Sequence, residues 1–254
     1  MKEKLCTIPL NDAIAAHDEC PFCFIERSIE QDLLDFTLGS ASSYMESDIR
    51  EKTDQDGFCR AHYKKMFEYG NTLGNGWILK THLMRLNKEM TAEFKKNSSV
   101  KVPGGFLKTR SSAKKQNSVS EWIARKEESC YICNQFKENF ERYLDTFFQM
   151  YRRDDSFRQN VKDSKGFCMT HFGDICEYAQ THLNDKERNN FFPELFQLME
   201  KNMSRIFDDV AWLIEKFDYK NKEADWKNSR DAIQRAMQKV KGGYPADQPY
   251  TQKK

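Results

Sequence analysis

The segments DGFCRAHYKKMFEYGNTL (residues 56–73) and KGFCMTHFGDICEYAQTHL (residues 165–183) share the pattern Gly-Phe-Cys-x2-His, followed by Glu-Tyr with the Tyr ten residues after the Cys. Each copy is preceded by a C-x2-C pair, formed by Cys20 and Cys23 and by Cys130 and Cys133. The copies are offset by 110 residues at the C-x2-C pairs and by 109 at the C-x2-H pairs. This agreement predicts an internal repeat.

The repeated residues are the types that bind a soft divalent metal. Zinc accepts thiolate and imidazole ligands in a tetrahedron, and a helix start can direct two such side chains at one point. Consecutive pairing along the chain predicts two Cys3His sites: Cys20, Cys23, Cys59 and His62, and Cys130, Cys133, Cys168 and His171. The alternative is eight buried side chains without a metal. Isolated buried cysteines are common but paired spacings are not, so metal binding is favoured.

Zinc, two ions per chain, is the predicted cofactor, and an iron–sulfur cluster is the alternative because its ligands are also thiolates. The haem signature C-x2-C-H does not occur in the sequence. A zinc with four protein ligands has no open position for substrate, so its predicted role is to hold two helix starts together.

The Gly-Phe dipeptide before each third Cys also has a predicted role. Gly57 and Gly166 permit a backbone turn with positive φ where the chain bends back to the metal. Phe58 and Phe167 are predicted to shield the sulfur atoms from water.

The hydrophobic pattern predicts an all-α fold, a helical bundle built from two related metal-clamped helical hairpins. Apolar residues recur at helical spacing after each Cys pair, and no segment alternates as a strand. A long helix is predicted with Pro193 near its start. The apolar residues expected to pack along it are Phe192, Phe196, Met199, Met203, Ile206, Val210, Leu213 and Phe217. A short amphipathic helix with Ile233, Met237 and Val240 on one face is predicted after it, as a capping helix that closes the bundle.

Four segments are expected along the chain. They are a first repeat (1–93), a basic flexible linker (94–120), a second repeat (121–217) and a C-terminal capping helix with a tail (218–254). The linker contains seven Lys or Arg and no Asp or Glu. A solvated loop is the favoured interpretation, and a basic arm that binds nucleic acid or an acidic partner is the alternative.

The net charge of +2 does not indicate a partner by itself. The N-terminus lacks an uninterrupted apolar stretch, and no run approaches the roughly 18 apolar residues of a membrane span, so a soluble cytoplasmic protein is expected. Thiols there stay mostly reduced, which favours metal binding over disulfides.

No nucleotide-binding, hydrolase or metalloprotease motif occurs, and the sequence indicates no catalytic residue. The remaining cysteines and histidines have no equivalent residue in the other copy of the repeat and are interpreted as structural or unassigned. They are His17, Cys6, Cys176, His82 and His182. Two functions remain. The favoured one is a zinc-stabilised helical protein in an interaction or adaptor role with a protein partner. The alternative is an iron–sulfur or thiol redox protein or sensor, or a metal-dependent enzyme with a site between the halves.

The chain also resembles an uncharacterised bacterial protein family. The resemblance lies in CPFCFIERSIEQ, GFCRAHYKKM, GFCMTHF and the closing segment LIEKFDYKNKEADWKNSRDAIQRAMQKVKG. Members carry two C-x2-C…C-x2-H units and a Trp-containing C-terminal segment. The resemblance covers nearly the whole chain and implies that the eight ligands carry over to the residues named above. It implies no reaction.

Overall fold

A computed structural model describes residues 2–40, 43–98 and 118–252 of the 254. These residues form eleven α-helices and two short 3-10 turns, and no strand occurs among them. The all-α prediction is therefore confirmed. The linker predicted at residues 94–120 lies largely outside the described residues, which resume at Ser118.

Most helices follow one another along the chain with short connections, and the longer connections are those from α5 to α6 and from α10 to α11. Their bounds are α1 Lys2–Ala15, α2 Pro21–Leu38, α3 Ser47–Asp56, α4 Arg60–Tyr69, α5 Thr72–Asn97, α6 Ser118–Glu128, α7 Tyr131–Arg153, α8 Asp155–Asp163, α9 Met169–His182, α10 Asp185–Glu215 and α11 Ala232–Lys241. The 3-10 turns are Ser43–Met45 and Tyr219–Asn221. No described helix is both long enough and apolar enough to cross a bilayer.

The chain forms two compact units that are not consecutive halves. Unit 1 contains residues 1–30 and 137–248, and unit 2 contains residues 31–136 and 249–254. Each unit thus takes chain from both predicted repeats. The functional boundaries predicted at 93, 120 and 217 stay a prediction.

Unit 1 has an aromatic core. Phe22 at the start of α2 lies 5.5 Å from Phe140 and 5.5 Å from Phe147 of α7, measured between ring centroids. Phe147 also packs edge-on against Phe157 of α8, and Phe22 packs against Phe167. Aromatic pairs at such distances add to the free energy gained by burial. The core therefore brings the starts of α2 and α9 together.

Unit 2 is organised around α5, which packs against α3, α4 and α6. Tyr69 at the end of α4 donates a 2.6 Å hydrogen bond to Asp35 Oδ1 of α2. Asn71 caps α5 by accepting from Gly74 N–H, and its side-chain amide donates to the Leu38 carbonyl oxygen. These polar contacts fix the turn between α4 and α5.

Each Cys pair is followed by the same order of elements. After Cys20 and Cys23 come the rest of α2, then α3, α4 and α5, and after Cys130 and Cys133 come the rest of α7, then α8, α9 and α10. The repeat as a matching backbone shape stays a prediction.

The long helix α10 differs from the predicted one in its start and its buried face. It begins at Asp185, where Asn184 and Glu187 form a reciprocal capping box, so Pro193 lies well inside it. Its buried residues are Phe191, Leu195, Leu198, Met199, Asn202 and Ile206, whereas Phe217 at the end of the predicted seam is 80% exposed. A straight helix drifts against a seven-residue repeat, so a single seam cannot stay buried over eight positions.

The short helix α11 confirms the prediction of a helix but presents the opposite face. Ile233, Met237 and Val240 are exposed by 42%, 55% and 52%. The buried residues are Ala232, Arg235, Gln238 and Lys239. A capping helix would ordinarily turn its apolar face inward. Here the polar face is buried instead, because carboxylates and backbone carbonyl oxygens beneath α11 accept hydrogen bonds from it.

Candidate metal centres

Two clusters of metal-ligating side chains are present in the described chain. Cluster A contains Cys20, Cys23, Cys168 and His171, and all four are buried. Cluster B contains Cys59, His62, Cys130 and Cys133, of which Cys133 is exposed. Within each cluster one ligand atom from every residue lies within 4.8 Å of the others.

The clusters contain the eight predicted residues but not in the predicted pairing. Consecutive pairing is wrong: the first C-x2-C pair faces the second C-x2-H pair, and the second C-x2-C pair faces the first C-x2-H pair. The sequence alone could not reveal this pairing, because the spacings are equivalent and either C-x2-H pair could complete either set. Cluster A lies wholly in unit 1 and cluster B wholly in unit 2.

Every residue of the two clusters lies at the start of a helix. Cys59 and Cys168 are the N-caps of α4 and α9, with nearly identical backbone angles of φ −73°, ψ 163° and φ −73°, ψ 164°. The histidine three residues later therefore points to the same side of the first turn. Cys20 and Cys130 immediately precede α2 and α7, and a second cysteine follows in the first turn. Helix starts carry a partial positive charge and free N–H groups, which stabilise thiolates.

In cluster A, the Nδ1 atom of His171 lies 3.3 Å from Cys20 Sγ, 3.6 Å from Cys23 Sγ and 3.2 Å from Cys168 Sγ. Zinc bonds of about 2.3 Å to sulfur and about 2.05 Å to nitrogen in a tetrahedron give an N···S separation of about 3.6 Å. The three distances around His171 thus fit one central ion.

Cluster B has the same dimensions. His62 Nδ1 lies 3.3 Å from Cys59 Sγ, 3.2 Å from Cys130 Sγ and 3.4 Å from Cys133 Sγ. Cys59 Sγ and Cys133 Sγ are 3.9 Å apart, close to the S···S separation of about 3.8 Å around tetrahedral zinc. A disulfide would bring two sulfur atoms to about 2.05 Å, and all of these cysteines are free.

The glycine before each N-cap cysteine adopts the predicted conformation. Gly57 has φ +62° and Gly166 has φ +74°. A Cβ atom on Gly57 would also lie 2.7 Å from the His82 ring, so both the angle and the space require glycine. Phe58 and Phe167 are buried, and their shielding of the sulfur atoms from water stays a prediction.

The buried charges of cluster A favour an ionised Cys168. Hydrogen bonds from the Cys20 and Cys23 thiols and from His171 lower the pKa of Cys168 despite its burial. Burial and the neighbouring thiols Cys168 and Cys23 raise the pKa of Cys20. Burial alone would lower the pKa of His171, but bonds to Cys168, Cys23 and Glu26 raise it to about 12. Metal binding would displace the protons that remain.

Cluster B shows the same division of charge. Burial would raise the pKa of Cys130, but hydrogen bonds from His62 and from the backbone N–H groups of Cys133 and Cys59 lower it to about 6. Burial and the adjacent Cys130 and Cys59 sulfurs raise the pKa of Cys133 to about 12. One thiolate is thus already favoured before a metal binds.

The histidine of cluster A has the outer partner that metal-bound imidazoles commonly use. Its Nε2 atom lies 3.2 Å from Glu26 Oε1 on α2. A carboxylate on the far nitrogen fixes the ring orientation and leaves Nδ1 free to bind a metal. The rings of Phe22 and Phe140 flank His171 at 5.7 and 5.2 Å between centroids.

The C-terminal segment covers cluster A. Gly243 N–H donates to Cys23 Sγ at 3.4 Å, and a Cβ atom on Gly242 would lie 3.4 Å from Cys168 Sγ. Lys239 Nζ donates to the backbone carbonyl oxygens of Glu19 and Lys165, which lead into the two ligand-bearing turns. The end of α11 therefore contacts both turns that carry the residues of cluster A.

A buried carboxylate beside cluster A was missed by the sequence analysis. Glu19 is 3% exposed, and Arg205 Nη2 donates to its Oε2 at 2.5 Å. Lys239, Arg235 and Lys165 lie 3.4, 3.7 and 3.9 Å from its oxygens. The sequence signal that could have indicated a buried carboxylate is the pair Arg235 and Lys239, which lie four residues apart on the same face of an amphipathic helix.

The other candidate residues stay outside the clusters. His17 is exposed, with φ +51°, and Cys6 and Cys176 are half-buried thiols whose pKa values are raised by burial. His82 bonds the Asp54 carbonyl oxygen, and His182 bonds Asp145. None of these five residues belongs to either cluster.

Comparison with known proteins identifies the family. A family model described as a family of unknown function (DUF6062) matches residues 1–247, and the chain belongs to this family. The match includes both clusters and the segment that covers cluster A. Neither the curated proteins nor the solved structures contain a match to the chain.

Proposed function

We propose that the protein is a zinc-binding helical protein in which each cluster holds one structural zinc ion. The observation that carries the proposal is the distance between donor atoms. In both clusters three sulfur atoms surround a histidine Nδ1 at 3.2–3.6 Å. Side chains that packed without a common ion would have no reason to adopt this spacing twice.

Three thiolates and one imidazole fill the tetrahedral shell of zinc and leave no position for a reacting water. The role that follows is structural. Each ion would join the starts of two helices that are distant along the chain: α2 and α9 in cluster A, and α4 and α7 in cluster B. A structural zinc can supply about 10–16 kcal/mol of apparent binding free energy at neutral pH.

The donor spacing favours a single ion over an iron–sulfur cluster. The ligands of a cluster bind different iron atoms of one inorganic core, so their sulfur atoms lie farther apart than around a single ion. Here all four ligand atoms lie within 4.8 Å of one another. A mononuclear site of reduced thiolates also suits a reducing compartment such as the cytoplasm.

Elemental analysis of protein purified without tag or chelator tests the proposal. We expect two zinc equivalents per chain, no absorption in the visible range, and one equivalent after Cys59→Ser. Cys176→Ser is the matched control and should keep two, because this thiol belongs to neither cluster. Iron with absorption near about 400 nm would instead establish the redox alternative.

The interaction role is supported by the surface of α11. Its apolar residues Ile233, Met237 and Val240 recur at helical spacing and are exposed, while its polar residues bind the protein beneath. An amphipathic helix that turns its apolar face to solvent is typical of a surface that contacts another protein. A protein partner is therefore proposed, and nucleic-acid binding through residues 94–120 remains the alternative.

The two ions are expected to differ in lability. Cluster A is fully buried under the C-terminal segment, whereas Cys133 of cluster B is exposed and Cys59 is half-buried. With excess chelator we expect two phases of zinc release, monitored by a colorimetric zinc indicator, with one equivalent in each.

The fast phase should belong to cluster B. Cys59→Ser should therefore leave only the slow phase. A single phase from the wild-type protein, or a fast phase retained in Cys59→Ser, would contradict the assignment of accessibility.

A further inference from the structure

Unit 1 contains a cleft of about 620 Å³ next to cluster A that the metal sites do not use. It is bordered by α10, by the chain from Asp163 to Lys165, by residues 227–231 and by α11. Its basic lining residues are Lys165, Lys201, Arg205, Lys227, Arg230 and Arg235. The only acidic side chains among the described lining residues are Asp163 and Asp231.

Two of the six cations are held in fixed positions. Arg235 is buried and donates to Asp231 Oδ1 and Asp209 Oδ2, each at 2.8 Å. Arg205 donates to the buried Glu19 and to Asn202. These carboxylates compensate the two guanidinium groups, so the arginines form a rigid, nearly neutral wall.

Lys165 lies 3.9 Å from the Glu19 carboxylate, and the three remaining cations supply the excess charge. Lys201, Lys227 and Arg230 are exposed, and none forms an ion pair with a carboxylate of the described chain. Lys227 Nζ lies 3.8 Å from the centroid of Trp212, and the Arg230 guanidinium lies 5.7 Å from the centroid of Trp226. The aromatic rings restrict where these side chains lie and leave their N–H groups available to a ligand.

The start of α11 borders the same cleft. Its N-cap residue Asp231 makes no side-chain hydrogen bond to the first turn and pairs with Arg235 instead. Ala232 N–H donates to the Ser229 carbonyl oxygen, so the excess positive charge of the cleft comes from its side chains.

We infer that this cleft binds a small soluble anion carrying two or more linked phosphate groups. Its volume falls within the range of about 300–1,000 Å³ typical of small-ligand sites. Guanidinium and ammonium groups are the donors that proteins use for phosphate oxygens. The charges are gathered in one concavity, which fits a compact ligand better than a nucleic-acid strand.

Calorimetric titration of the zinc-loaded full-length protein with inorganic pyrophosphate at low salt tests the inference. We expect saturable binding with one site per chain, weaker binding of orthophosphate, and loss of affinity with rising salt. The variant K201E/R230E should bind pyrophosphate about tenfold more weakly or worse, because two attractive charges become repulsive.

The matched control is K137E/K186E, which makes the same change in net charge at two exposed lysines of unit 1 outside the cleft. It should bind as the wild-type protein does, and both variants should keep two zinc equivalents. Equal weakening in both, or no pyrophosphate binding at millimolar concentration, would overturn the inference.

Two further titrations identify the source of the phosphate. A ten-nucleotide single strand and vesicles containing phosphatidic acid replace pyrophosphate. Binding of either one without binding of pyrophosphate would overturn the inference in favour of nucleic acid or a lipid headgroup. Because zinc content is measured separately, failure of this inference is distinguishable from failure of the metal sites.

Discussion

Cys168→Ser is expected to remove one zinc equivalent and to expose Cys20 and Cys23 to alkylation, while Cys130 stays protected. The reason is the crossed pairing: Cys168 shares cluster A with Cys20 and Cys23, whereas Cys130 belongs to cluster B. Mapping of alkylated cysteines by mass spectrometry after brief iodoacetamide treatment measures this directly.

The effect on stability should be large. The lost site is buried, and its ion would contribute up to about 10–16 kcal/mol of apparent binding free energy, as much as the whole stability of a typical domain. We expect the unfolding transition of unit 1 to be lost or to shift far to lower denaturant concentration.

Cys176→Ser provides the control, since it removes a half-buried thiol from the same helix without touching a ligand. It should keep two zinc equivalents and an unchanged alkylation pattern. Exposure of Cys130 in Cys168→Ser, with Cys20 still protected, would restore consecutive pairing and refute the crossed arrangement.

Glu19→Gln is expected to destabilise the protein by about 3–5 kcal/mol at pH 7, because removing one partner of a buried ion pair leaves the other charge uncompensated. Lys239, which is 1% exposed, lies 3.4 Å from the Glu19 carboxylate. The amide has nearly the same shape as the carboxylate, so the packing is kept, while the charge is lost and one acceptor oxygen becomes a donor NH2 group. Urea unfolding of the zinc-loaded protein measures the loss.

The pH dependence of this difference follows from the carboxylate. Burial would raise the pKa of Glu19, but the hydrogen bond from Arg205 and the charges of Lys239, Arg205 and Lys165 lower it below its usual range. A lowered folded-state pKa means that the stabilisation is complete above the unfolded value of about 4.3 and is lost as the pH falls through the folded value. Wild type and Glu19→Gln should therefore converge in acid.

Glu200→Gln is the matched control on the exposed side of α10, where substitutions usually change stability by less than about 0.5 kcal/mol. If Glu19→Gln unfolded at the same urea concentration as this control, the charge network around Glu19 would be accessible to water in solution.

The sequence was sufficient to predict the helical class, the eight residues that form the two clusters and the positive φ of the turn glycines. Short-range patterns determine these features. The apolar spacing after the Cys pairs indicates helices, and Gly57 lies two residues before Cys59, the N-cap of α4. Each depends on residues within a few turns of one another, where spacing alone carries the geometry.

The pairing of ligands could not be read from the chain, because the two copies are equivalent as ligand sets. What decides it is packing: Phe22 beside Cys23 contacts Phe140 and Phe167 and so carries the first Cys pair to α9. Such contacts join residues more than a hundred positions apart, and the hydrophobic periodicity of a short segment does not indicate them.

The orientation of α11 could not be predicted for a related reason. Apolar faces usually turn inward, but here Lys239 and Gln238 turn inward because Glu19, Asp18 and two backbone carbonyls lie beneath them. A buried acceptor without a hydrogen-bond donor costs more free energy than an apolar side chain left exposed. Glu19 itself looked like an ordinary charged residue before a Cys pair.

The crossed pairing has a consequence for the order of events on the ribosome. Cys20 must wait for His171, which is synthesised 151 residues later, a delay of about 8–30 s at about 5–20 residues per second. During that time the first thiol pair is in the nascent chain without its partners. Cluster B closes over a separation of 74 residues between Cys59 and Cys133, so its last ligand emerges before the last ligand of cluster A. Cys20 and Cys23 therefore wait longer for their partners than any residue of cluster B, although cluster A is the more buried of the two.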